Sequence, residues 1–141
     1  MATINTLIKR LEAVNVNEIV HQTLESTKGF TADLQVEQQL KGLTADGTPM
    51  PDYSRTSVEV FGKPAGPILL RETGAFQSAV FVRVNADTRT FYSTDNKTEM
   101  LERRYKKQGY DIFGLSEKFA AEDRQHIEPV FLKNMKKAAG L

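Results

Sequence analysis

The residues able to carry chemistry in this chain are few, and their spacing argues against most enzymatic uses. Only two histidines occur, His21 and His126. Neither has a second histidine three or four positions away, and Glu25 is the only carboxylate at helical i+4 spacing from His21. A metal site would need ligands converging from separate elements, so a partly exposed helical histidine is the simpler reading of each. Asp87, Asp95, Glu99 and Glu102 lie around Lys97. A metal-dependent nuclease uses carboxylates and a lysine, but on adjoining strands with room for two ions. Here Glu99 and Glu102 sit among Arg103, Arg104, Lys106 and Lys107, an arrangement that i,i+3 and i,i+4 ion pairs on a solvated helix explain. No serine stands in a Gly-x-Ser-x-Gly elbow, and no glycine-rich phosphate loop occurs.

Basic residues form two groups. Arg103-Arg104-Tyr105-Lys106-Lys107 has a tyrosine placed to stack on a base, and Lys133 with Lys136-Lys137 follows near the end. Acidic neighbours partly neutralise the first group, and cations in a last helical turn also favour the helix dipole. A sequence-specific nucleic-acid reader is not expected.

The elements that must position these side chains read as follows. Ile4, Leu7, Ile8 and Leu11 follow helical spacing, with Thr3 able to cap the start. Val16, Ile19, Val20 and Leu24 repeat the spacing out of phase. That predicts a break across residues 14–17, with Asn17 as a new cap. Gly29 is the expected stop, and Thr31 to Leu40 a separate helix ended by Gly42. Residues 43–67 hold an Asp46-Gly47 turn signal, Pro49, Pro51 and the cluster Gly62 to Pro67, with a possible short strand at Thr56, Val58 and Val60. Thr73-Gly74 reads as the cap of a helical turn over Ala75–Ser78. Ala79–Val84 and Arg89–Ser93 form a predicted hairpin around a turn at Asn85–Thr88. Lys97–Lys107 is a charged helix capped by Asp95 or Asn96, with Met100, Leu101 and Tyr105 as its apolar stripe. Ser116 opens a last helix that Pro129 kinks or divides.

This order predicts an α+β fold: a small antiparallel sheet with a central hairpin, packed by N- and C-terminal helices, with a long Pro/Gly loop. The 141 residues fit one domain, divided into a helical start (1–42), an extended loop (43–67), a hairpin core (68–95) and a helical end (96–141). A chain of this size buries roughly two-thirds of its unfolded surface, so it needs no covalent staple. Zero cysteines exclude disulfides, iron–sulfur clusters, thiol nucleophiles and cysteine-ligated zinc. Hydrophobic residues at 40% and charged residues at 26% exclude a wholly disordered chain. The net charge of +1 does not support a globally basic coat. The first 70 residues carry six Lys/Arg against eight Asp/Glu and the remainder 13 against 10, a mild polarity. No signal peptide and no membrane partner are expected from the sequence.

Three stretches carry a resemblance. They are Gln38-Gln39-Leu40-Lys41-Gly42 with Asp46-Gly47 and Pro51-Asp52-Tyr53-Ser54; Gly66-Pro67-Ile68-Leu69-Leu70-Arg71-Glu72-Thr73-Gly74-Ala75-Phe76-Gln77-Ser78; and Ser93-Thr94-Asp95-Asn96-Lys97-Thr98 with Leu101, Tyr105 and Ile112-Phe113-Gly114-Leu115-Ser116. In this order they resemble the neck, tail-completion and head–tail joining proteins of tailed bacteriophages, especially those of Bacteroides-type hosts. In that group a Leu-x-x-Thr-Gly-x-[aromatic or Leu]-x-x-Ser segment leads into the sheet. Glu72 departs from the aspartate or small residue common before its Thr-Gly, and the connector after Tyr105 is longer.

The resemblance implies a structural virion protein without enzymatic activity or cofactor. It implies synthesis in the host cytoplasm and a place in the neck or tail region. Such proteins form homo-oligomeric rings that dock on portal, connector or tail proteins. Residues 43–67 are the expected contact segment, because Tyr53, Val58, Val60 and Phe61 offer apolar surface there; the alternative is that these side chains cap the chain's own core. Arg103 and Arg104 complete the expected interface. The alternative function is a nucleic-acid-binding accessory protein using basic residues within 97–107 and 133–137.

Overall fold

The computed structural model describes residues 3–70 and 74–141. Its first helix, α1 (Ile4–Glu12), begins where the Thr3 hydroxyl accepts the Thr6 amide at 3.2 Å. The helix ends at Ala13, and α2 (Val16–Leu40) restarts from Asn15. The Asn15 side chain accepts the Glu18 amide at 3.2 Å, so Asn15 and not Asn17 is the cap.

Gly29 does not stop α2, which runs for 25 residues and takes in the expected separate helix over 31–40. An interior glycine costs only about 1 kcal/mol relative to alanine. Burial of Leu24, Ala32 and Leu34 against the rest of the fold outweighs that cost. Gly42 ends the helix with φ +70°, the Gly42 amide donating to Gln39 O at 2.9 Å and the Leu43 amide to Gln38 O at 3.2 Å. These are the two reversed bonds of a Schellman close.

Residues 43–67 are ordered by their own bonds. Leu43 bridges Pro49, Asp52 bridges Pro67, and the Ala45 amide donates to Asp111 O at 2.9 Å. Met50 is buried with Phe76, Tyr105 and Ile112 in one apolar cluster. The short strand expected at Thr56, Val58 and Val60 is instead a helical turn, α3 (Arg55–Glu59). Ser54 caps it by accepting the Ser57 amide at 3.1 Å, and Arg55 pairs with Glu59 across one turn at 2.9 Å. A local cap and an i,i+4 pair thus override a weak alternation.

After Gly74, α4 (Ala75–Ser78) leads into β1 (Val80–Asn85) and β2 (Thr88–Ser93). The capping role read for Thr73 lies outside the described residues. The strands pair antiparallel from Val80↔Ser93 to Asn85↔Thr88, so the turn is Ala86-Asp87 alone, two residues shorter than expected. Helix α5 (Thr98–Lys107) follows an Asp95 side chain that accepts the Lys97 amide at 2.9 Å. Of its expected stripe, Tyr105 is buried and Leu101 half-buried, whereas Met100 is exposed. Helix α6 (Glu117–Ala138) continues through Pro129 as one helix. Ser116 precedes it, but its side chain makes no capping bond.

The fold is α+β: helices pack on a two-stranded antiparallel sheet, with α2 against both α6 and β1. The face that α2 buries is largely polar. Thr31 Oγ1 donates to Asp123 on α6 at 2.6 Å, and Arg89 on β2 pairs with the same carboxylate at 2.7 Å. Gln38 Nε2 donates to Gly114 O at 2.7 Å and Thr44 O at 3.2 Å, while its Oε1 accepts the Ser116 amide at 2.7 Å. Gln35 Oε1 accepts the Gly114 amide at 2.7 Å, and Gln39 Nε2 donates to Ile112 O at 3.0 Å. These amides supply the partners that the irregular 112–116 backbone lacks in a ladder.

Candidate interaction surface

The titratable side chains with the best catalytic credentials are engaged in structural contacts. His21 Nδ1 lies 3.0 Å from Ala86 O, tying α2 to the hairpin turn. His126 stacks on Phe30 with ring centroids 3.8 Å apart. Asp95 holds the entry of α5. Among the described residues no group of three His, Asp or Glu side chains is arranged to hold a metal ion, and no helix is long and apolar enough to cross a membrane.

The expected interface residues separate into two places. Val58, Val60 and Phe61 lie on or just after α3. Val58 is half-buried, but Val60 is 69% and Phe61 72% exposed. Their position is fixed: the Lys63 amide donates to Ser57 O at 3.1 Å, and the Tyr53 amide to Gly66 O at 2.9 Å. The excursion is therefore closed at its base and carries its apolar tip outward.

Tyr53 and Arg104 meet at a second feature, a cleft of about 220 Å³ between the start of the excursion and α5. Ile68, Leu70, Leu101 and Tyr105 line its apolar part. Lys63 Nζ stands 6.0 Å from the Tyr53 ring centroid, within cation–π reach. Burial pushes the Tyr105 phenol above its ordinary range, and the nearby Arg104 charge pulls the other way. Arg103 does not line this cleft but an adjoining depression on α5, which Glu99 and Lys107 line and which Met100 and Arg104 also border. The basic face of α5 lacks the base-stacking group read from the sequence, because the Tyr105 ring faces the apolar cluster.

A third feature lies on α1. The apolar stripe of α1 has no buried residue; Ile4 is 74%, Ile8 47% and Leu11 48% exposed. The periodicity that identifies the helix is the signal, since an amphipathic stripe needs a cover. That the described residues do not supply the cover is visible only in three dimensions. No family model matches the chain, and neither a curated protein nor a solved structure does.

Proposed function

We propose that this chain is a structural virion protein of a tailed phage, a neck or tail-completion component that packs as a homo-oligomeric ring between portal or head and tail. The observation that carries the reading is the Val60–Phe61 tip: two large apolar side chains held in solvent by a capped helical turn and a closed loop base. Burying such a tip against a partner is favourable, and holding it rigid beforehand lowers the entropic cost of docking. The uncovered stripe of α1 adds a second apolar surface of different shape. Unlike surfaces on one chain suit the heterologous contacts from which closed rings are built. The chain acts through these surfaces, as the resemblance in the segments over 38–119 implies.

The Val60→Ser/Phe61→Ser variant tests the reading without touching the core, since both side chains are exposed. The variant is expected to fold normally yet fail to join heads to tails in a complementation assay, with the wild-type chain detected in intact particles. Particles that mature normally with the variant, or without the chain, refute it. The exposed Arg103, Arg104, Lys106 and Lys107 on α5 favour nucleic-acid contact as the second reading. A DNA affinity that falls steeply with salt supports that reading instead.

A further inference from the structure

We propose that the Phe61 tip of one copy seats in the Tyr53–Arg104 cleft of a second copy of this chain. The proposal rests on the oligomeric reading above and names the contact that would build it. Three observations support the pairing.

The first is size and lining. The cleft has about 220 Å³ of free space over Ile68, Leu70 and Leu101, enough for one aromatic ring. Seating Phe61 there would remove at most the exposed 72% of its surface from water, on the order of 150 Å², which is how an aromatic anchor dominates an interface.

The second is charge. Glu59 immediately precedes the tip, and Arg104 stands on the rim of the cleft with no ion pair among the described residues. Among the described residues Glu59 is held only by Arg55, in a pair whose side chains are 59% and 88% exposed. Such a pair contributes little, so its carboxylate is free to turn to a partner's guanidinium.

The third is geometry. The bonds Lys63 N to Ser57 O and Tyr53 N to Gly66 O close the base of the excursion, and Phe61 at its end is 72% exposed. Tip and cleft are different surfaces, so each copy offers one and receives the other, the arrangement that closes into a ring.

The absence of cysteine makes the contact directly readable. Full-length Val60→Cys and Met100→Cys chains, each with one thiol, are mixed in equal amounts and oxidised. Val60 adjoins the tip and leaves Phe61 in place, and Met100 is exposed at the cleft. The mixed disulfide is expected to form about tenfold faster than between Val60→Cys and Glu122→Cys, because seated thiols share a high effective concentration. Adding Phe61→Ser to the Val60→Cys chain is expected to remove the advantage. Solution mass is expected to fall in Glu59→Arg and in Arg104→Glu and to recover when the two variant chains are mixed.

Equal rates for the two cysteine pairs overturn the proposal. So does preferential closure within one chain of the Val60→Cys/Met100→Cys double variant. If the wild-type mass exceeds a monomer and the pair still fails, the seat is wrong while the oligomeric reading stands. A wild-type chain that stays monomeric up to its solubility limit overturns both.

Discussion

Gln38 offers the sharpest test of what holds this fold together. Its side chain is fully buried and bonds three main-chain groups from two separate segments. Gln38→Leu keeps much of the volume but removes all three bonds. Thr44 O retains the Gly47 amide at 2.9 Å, so it is not stranded. Gly114 O and Ser116 N lose the partner they have, and each stranded buried group costs about 1–3 kcal/mol. Leucine recovers about 1–2 kcal/mol through added apolar burial. Taken at mid-range, these leave a net loss of about 2–3 kcal/mol, a large share of the ~5–15 kcal/mol typical of a domain. Urea unfolding checks it: the midpoint falls by about 1–2 M while the slope is unchanged. Hydrogen exchange at the Ser116 amide accelerates in parallel. Gln125→Leu, at an exposed position on α6, is the control and stays within about 0.5 kcal/mol. A Gln38→Leu loss indistinguishable from that control, with Ser116 still protected, would refute the claim that glutamine amides secure the 112–116 connector.

Two glycines of α2 and its close predict opposite signs. A Cβ on Gly42 would meet Pro67 Cγ at 2.7 Å at a φ of +70°, so Gly42→Ala is expected to cost about 2–4 kcal/mol in a urea melt. A Cβ on Gly29 meets nothing within 4 Å, so Gly29→Ala is expected to add about 0.4–1 kcal/mol. Tyr105 predicts an alkaline dependence. Its phenol sits above the ordinary value of 10.0 in the fold because burial disfavours the charged form. Folding therefore favours the protonated ring: its contribution is complete below pH 10 and is lost as pH rises toward the raised pKa. Unfolding free energies above pH 10 are expected to fall more steeply for the wild type than for Tyr105→Phe.

Apolar spacing alone identifies several elements here. Ile4, Leu7, Ile8 and Leu11 mark α1, and the β-branched run at 80–84 marks the hairpin. Gly29 misleads because its local penalty is small beside the packing of a long helix. The glutamines and threonines inside α2 escape notice because a periodicity of apolar residues treats polar ones as surface. Gln35, Gln38 and Thr31 are nonetheless wholly buried; the two glutamines answer a connector more than 70 residues away, and Thr31 answers Asp123 on α6. The surface was legible in part. Val60 and Phe61 are readable as apolar residues in a turn-rich segment, but a strand would have turned alternate side chains inward. The meeting of Tyr53 with Arg104 is a product of tertiary folding and has no local signature.

The glutamine side chains grip carbonyls, which every residue type carries, and amides, which only proline lacks. What α2 specifies in the connector is therefore its path and length, while the identities of Ile112 and Gly114 are set by the apolar cluster and by a φ of +119°. Point changes at exposed Asp111 are free to accumulate over generations, whereas inserting or deleting one residue between 112 and 116 would throw all the partners out of step. The segment should accordingly keep its residue count among descendants of this chain, with exchanges confined to positions other than Ile112 and Gly114.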